Sequence, residues 1–563
     1  MGEEKKRLPV GFENFEQIIK DNYYYVDKTG LISELLRNGG MVNLFTRPRR
    51  FGKTLNMSML EHFFSIEGDK SIFEGLKISK DTELSEEYMG RYPVIFVSLK
   101  GINAGSYDTA FRLTVETIKG VAKKAKVLKT SDKLDDDEKE DYRALLDKDM
   151  DEATLFLSLK TLSELLEKHY DSKVILLIDE YDVPLAKAFE NGYYDQMVFL
   201  IRNLLEQVLK TNNSLKFAVM TGCMRISKES IFTGLNNLKV LSITDERYDE
   251  YFGFTDTEVR EMLKYYEIED HYKEVKNWYD GYQFGSVEVY CPWDVLNYCD
   301  KLKDHADSFP ENYWINTSSN DAVRKFIQMS GNFKTRREIE TLLAGEEITK
   351  EIHQELTYPE MYQSVENVWS LLFMTGYLTQ RGRVDAKRYK LAIPNLEVRD
   401  IFETQIMEYF KERVKKDGDT LSRFCDALKN GEETMVGEIF ESYLKKTISI
   451  RDTFVKKASK ENFYHGILLG ILGVKEEWYV SSNQESGEGY SDILVETENS
   501  ETVILIEVKY ANDGNLDQAC ERALQQIEEK KYDEELRENG VDKILKYGIA
   551  CYMKRCKVKL ADS

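Results

Sequence analysis

Gly52, Lys53 and Thr54 close the run Arg47-Pro48-Arg49-Arg50-Phe51-Gly52-Lys53-Thr54, set between the apolar stretch Met41 to Phe45 and the helix-like Leu55 to Leu60. A strand, a tight loop and a helix start in that order suit phosphate binding. Backbone N–H groups and the helix N-terminus face the anion, a Lys reaches the outer phosphates, and a small hydroxyl takes a place on Mg²⁺. The second half of the pattern G-x-x-x-x-G-K-[ST] is complete, with Arg47 where the first Gly would stand. Arg50, Gly52, Lys53 and Thr54 are therefore candidate ligands of ATP. A bare GKT is also an ordinary turn before a helix, so the reading needs a second motif.

That motif is Val174-Ile175-Leu176-Leu177-Ile178, an apolar, β-branched run ending in Asp179-Glu180. A strand buried on both faces reads this way, and an acid at its C-terminal end can hold Mg²⁺ while the next Glu activates water. Asp179 is the candidate metal acid beside Thr54, Glu180 the candidate base, and the run reads as the partner strand of the loop. Tyr92 to Leu99, Leu215 to Thr221 and Lys239 to Thr244 supply three more strands. Thr221, ending the fourth strand, is placed to sense the outer phosphate, with Arg225 a weaker candidate.

Chemistry recurs near the C-terminus. Thr502 to Lys509 is a nearly continuous apolar run holding two charges, Glu507 and Lys509, whose i, i+2 spacing puts both on one face of a strand. Burying them costs several kcal/mol unless they are paired or bind a metal. Asp492 on the preceding strand, Tyr490 to Val495, adds a second carboxylate. Asp492 and Glu507 could hold Mg²⁺ while Lys509 stabilises a nucleophile, the set that phosphodiester hydrolysis needs. Gln526 could assist, although an exposed helix residue explains it as well. A buried structural ion pair is the plain alternative for Glu507 and Lys509.

These motifs need elements to position them. At 563 residues the chain exceeds one core, and 42% apolar with 12% aromatic content is ample for several. The expected architecture is α/β: a P-loop NTPase-type parallel sheet over 1–245, an α-rich region over 246–400, a helical linker over 401–450, and an αβββαβ core over 451–563. Glu461 to Leu472 reads as the first helix of that core, and Leu545 to Cys551 as its last strand. The acidic stretch Ser131 to Glu152 reads as a solvated helical insertion, and Thr255-Asp256-Thr257-Glu258 as a capping box. Aromatic turns at Trp278 to Tyr282, Tyr290 to Trp293 and Tyr313 to Thr317 read either as loop anchors or as stacking platforms.

The net charge of −22 weighs against constitutive, tight nucleic-acid binding, and residues 451–563 carry 16 basic against 22 acidic side chains, a net of −6. A local basic groove remains open, because Arg47, Arg49, Arg50 and Lys53 cluster. Seven scattered cysteines without a C-x-x-C pair fit a reducing cytoplasm and give no zinc site. With no apolar run near eighteen residues and no signal-peptide core, neither a membrane span nor export is expected.

Taken together, Leu8 to Gly11, Asp27 to Thr29, the loop at 47–54, Leu177 to Leu185, Thr221 to Asn237 and Gly489 to Lys509 resemble a bacterial and archaeal family. Its members join an AAA-ATPase-like core with an RPRRFGKT loop to a C-terminal PD-(D/E)xK nuclease-superfamily domain. The resemblance implies an AAA/STAND-type ATPase, a helical or winged-helix region, and a restriction-endonuclease-like core. It maps Lys53 and Thr54 onto ATP and Mg²⁺, Asp179 and Glu180 onto metal acid and catalytic Glu, and Asp492, Glu507 and Lys509 onto the nuclease triad. The leading expectation is a cytoplasmic ATPase whose nucleotide state gates a Mg²⁺-dependent nuclease on DNA or RNA. A nucleotide-switched interaction protein with a silent docking domain, an ATP-driven remodeller, and assembly as a homo-oligomer all stay open.

Overall fold

The structure, a computed structural model, describes residues 5–561 except 227–231, 233–235, 315–319, 447–456, 485–489, 499–501, 530–535, 538–540 and 542. Gly487, Gly489, Ile315 to Thr317 and part of the Thr221 to Asn237 block lie outside the described residues. The chain divides into two compact units, Met1–Ser319 with Thr349–Val398, and Asn320–Ile348 with Arg399–Ser563.

In the first unit, β1 (Val42–Thr46), β2 (Val94–Ser98), β3 (Val174–Asp179), β4 (Leu215–Gly222) and β5 (Leu238–Leu241) form one parallel sheet in the order β2-β3-β4-β1-β5. Every residue of β1 and β3 is buried, as their mainly apolar runs require of strands covered on both faces. The expected pairing of β3 with β1 is corrected. β4 lies between them, registering Val42 with Ala218 on one side and Leu176 with Ala218 on the other. β3 and β4 are both largely apolar, so hydropathy alone cannot order them. β5 ends earlier than expected because Asp245 accepts hydrogen bonds from the Ser242 N–H at 2.7 Å and hydroxyl at 2.8 Å, turning the chain.

Helix α1 (Lys53–Phe64) starts at Gly52, whose φ of +76° is left-handed; nothing would touch an added Cβ, so conformation and not space demands glycine there. The acidic insertion forms a helix, Asp136–Ala144, under an Asp135/Glu138 capping box, and Thr255 and Glu258 cap Asp256–Tyr266 as their spacing predicts. Helix α2 (Pro292–Asp304) opens with Pro at its first turn. Tyr279, Tyr282 and Tyr290 are buried, so these aromatics anchor loops. The helix Val365–Met374 is followed by an antiparallel hairpin, Thr379–Arg383 with Arg388–Ala392, completed by Ile348–Glu351.

The second unit holds α3 (Lys457–Leu472), β6 (Tyr479–Gln484), β7 (Tyr490–Glu496), β8 (Thr502–Tyr510), α4 (Leu516–Glu529), β9 (Lys543–Tyr552) and β10 (Arg555–Leu560). The sheet runs β6-β7-β8-β9-β10, antiparallel except for β8 with β9, which α4 joins by a crossover. Ile504, Ile506 and Val508 enter a core with Ile467, Leu468 and Ile471 of α3, each burial contributing about 1.5–3 kcal/mol. The sheet does not end at Cys551: Met553, at φ 55°, turns the chain into β10.

Candidate functional site

Three strand ends and one loop converge at the C-terminal edge of the first sheet, the usual place for a ligand in an open α/β sheet. Asp179 ends β3 and is fully buried. Its Oδ1 accepts from the Thr221 hydroxyl at 2.6 Å and its Oδ2 from the Thr54 hydroxyl at 3.0 Å. Burial raises the Asp179 carboxyl above its ordinary range, and the Thr221 bond offsets part of the rise. Thr221 also accepts from the Glu180 N–H at 3.3 Å. Glu180 adopts φ 54°, a left-handed backbone that costs a non-glycine residue on the order of 1–2 kcal/mol.

Lys53 is buried, with Nζ 3.3 Å from Glu180 Oε1, 3.2 Å from the Arg47 carbonyl and 3.1 Å from that of Pro48. Burial pulls its pKa down, but Cys223, Glu180, Asp182 and Asp179 outweigh it and hold it above the ordinary value. The Cys223 thiol is itself pushed up to about 11 by burial, so at neutral pH the three carboxylates keep the ammonium charged. Asp182, missed from sequence, is buried and accepts the N–H groups of Cys223 at 2.9 Å and Met224 at 3.1 Å. Tyr181 fixes the same segment through the Met224 carbonyl and the Ile226 N–H.

The loop arginines have separate fates. Arg47 is fully buried, donating to the carbonyls of Thr46 at 2.9 Å, Leu241 at 2.8 Å and Tyr248 at 3.4 Å, with its guanidinium 5.0 Å from the Phe252 ring centre. Burial lowers it to about 10. The residue standing in place of the first Gly is thus a cross-brace between β1, β5 and the Tyr248 turn. Arg50 lies 4.3 Å over Trp293. Arg225 pairs with Glu355 at 2.7 Å, away from the cleft. The cleft holds about 520 Å³ and is lined by Arg49, Arg50, Gly52, Lys53, Thr54 and Glu180 with the apolar Pro9, Phe12, Trp293 and Leu296. Trp293, from one of the aromatic turns, therefore faces the cleft.

In the second unit, Glu507 is fully buried and its Oε1 lies 2.7 Å from Lys509 Nζ. Glu461 on α3, to which sequence reasoning gave no role, lies 4.0 Å from the same ammonium and accepts the Tyr510 N–H at 3.2 Å. The backbone register sets Asp492 opposite Glu507, while the Asp492 side chain lies outside the described residues. Among the described residues no group of three acids, histidines or cysteines is placed to hold a metal. Gln526 is half-buried on α4.

Residues 9–232 match the family model described as predicted AAA-ATPase, and residues 459–560 that of the PD-(D/E)XK nuclease superfamily. The chain carries both domains. The AAA-ATPase-like domain thus includes Lys53, Thr54, Asp179, Glu180 and Thr221, and the nuclease-superfamily domain includes Asp492, Glu507 and Lys509. A protein of Azotobacter chroococcum mcd 1, described as an uncharacterized protein in the vnfD 5′ region, is 27% identical over 431 residues, covering 72% of this chain and 71% of that protein. Among the described residues no helix is long and apolar enough to cross a membrane.

Proposed function

We propose that the chain binds and hydrolyses ATP, and that its nucleotide state regulates a Mg²⁺-dependent nuclease in its C-terminal domain acting on DNA or RNA. The observation that carries the proposal is the convergence of Lys53, Glu180 and the Thr54–Asp179–Thr221 chain beside one cleft of nucleotide size. Thr54 and Asp179 present two hard oxygen donors 3.0 Å apart, a set that fits Mg²⁺. Bound there, the ion supplies charge neutralisation on the outer phosphates. Lys53 would bind those phosphates, Gly52 and Arg50 shape the loop around them, and Glu180 orient and deprotonate the attacking water. Thr221 would hold Asp179 in place and sense the outer phosphate.

In the nuclease-superfamily domain, Glu507 and Asp492 are paired positions on neighbouring strands, and the full burial of Glu507 suits a cation partner. A divalent ion there supplies polarisation of the phosphodiester and a lower pKa for the attacking water. Lys509 would orient the nucleophile and Glu461 would hold Lys509. A second reading, a nucleotide-switched interaction protein with a silent docking domain, is favoured by the net −22 charge and by the existing Glu507–Lys509 pair.

ATP turnover by wild type, Lys53→Ala and Glu180→Gln tests the first half. Glu180→Gln should bind ATP and lose hydrolysis, whereas Lys53→Ala should lose both. Equal turnover in all three would remove the ATPase assignment.

A further inference from the structure

Four cations line the nucleotide cleft, and three of them are engaged. Lys53 is held by Glu180 and two carbonyls, Lys100 pairs with Glu13 at 2.7 Å, and Arg50 stacks on Trp293. Arg49 has an exposed side chain and makes no hydrogen bond or ion pair among the described residues. Arg49 lines the cleft together with Gly52, Lys53, Thr54 and Glu180, and Lys53 Nζ lies 3.3 Å from Glu180 Oε1, so the guanidinium shares its wall with the groups that would meet the outermost phosphate.

We infer that Arg49 is a catalytic residue supplied by the phosphate loop itself, a guanidinium that meets the charge developing on the transferred γ-phosphoryl group, so that hydrolysis needs no arginine from a second subunit. The inference rests on the ATPase reading. A planar guanidinium presents several donors to phosphoryl oxygens, which suits charge spread over equatorial oxygens better than a point charge does. An arginine that is unpaired before the nucleotide arrives also breaks no ion pair in order to engage. Arg47, Arg49 and Arg50 thereby divide into a brace, a catalyst and a wall of the cleft.

The test uses the full chain. ATP turnover and the affinities for ADP and for ADP–aluminium fluoride are measured for wild type, Arg49→Ala, Arg49→Lys and Lys53→Ala, and wild-type turnover per chain is followed over a hundredfold dilution. The expected result is a fall in kcat of about a hundredfold or more in Arg49→Ala, a smaller fall in Arg49→Lys, and loss of the aluminium fluoride complex. ADP affinity should stay within about threefold, because Arg49 acts on charge formed in the transition state. Turnover per chain should be constant on dilution. Lys53-dependent turnover that Arg49→Ala retains, or turnover per chain that falls with dilution, would overturn this inference alone. A wild type that neither binds nor hydrolyses ATP would overturn it together with the ATPase reading.

Discussion

The Thr221 hydroxyl donates to Asp179 Oδ1 at 2.6 Å, tying together the ends of two neighbouring strands of the first sheet. The other Asp179 oxygen accepts from Thr54, so both carboxylate oxygens are held in a site closed to solvent. Thr221→Val removes one donor from a buried acid at nearly constant volume. Unfolding in urea should show a loss of about 1–3 kcal/mol. Turnover should fall about tenfold or more while ATP affinity changes little, since Lys53 and the loop remain.

Arg47 gives a prediction opposite to the one its motif position suggests. Arg47→Gly completes the general phosphate-loop pattern, yet it deletes a buried guanidinium that bonds three carbonyls on separate segments. Orphaning those acceptors and leaving a cavity should destabilise the first unit by about 3 kcal/mol or more. Denaturant unfolding followed by circular dichroism would show it. A variant as stable as wild type would contradict the bracing role.

Asp294 and Glu397 are both buried and interact with each other within the first unit. Burial pushes Asp294 up to about 6 and raises Glu397 as well. A carboxyl whose folded pKa lies above its unfolded value adds stability that is complete below the unfolded value and lost as pH rises through the folded one. Asp294→Asn should therefore gain stability relative to wild type by about 2–3 kcal/mol between pH 4 and pH 7.5, at 1.36 kcal/mol per unit of pKa difference. Paired urea titrations at the two pH values check the sign.

Glu461 touches Lys509 from a separate element, and Glu461→Gln keeps an oxygen for the Tyr510 N–H while removing the charge beside the ammonium. The fold should survive within about 1 kcal/mol. Any Mg²⁺-dependent cleavage should drop about tenfold, read from initial rates on labelled DNA and RNA. An unchanged rate would contradict a role for Glu461 in holding Lys509.

The legible parts of this chain were those where one local pattern admits one structure. The unbroken apolar run into Asp179, the Gly52-Lys53-Thr54 helix start and the Thr255/Glu258 capping box each state their local geometry outright. Strand order was not legible, because β3 and β4 are both largely apolar and only tertiary packing puts β4 beside β1. The burial of Arg47 was hidden because an arginine in a basic loop reads as a phosphate ligand until its carbonyl partners, some 200 positions away, are in place. Strand β10 carried a signal, the alternation of Cys556, Val558 and Leu560 with charged residues. Asp182 and Glu461 carried none, since an acid after a strand or at a helix start is usually solvated.

Nucleic-acid degradation with Mg²⁺ by wild type, Lys509→Ala and Lys53→Ala, each with and without ATP, tests the central claim most directly. The account predicts cleavage by wild type that changes with ATP, none by Lys509→Ala, and cleavage by Lys53→Ala that no longer responds to the nucleotide. Cleavage by Lys509→Ala equal to wild type, or no cleavage of DNA or RNA by any form that binds ATP, would contradict it.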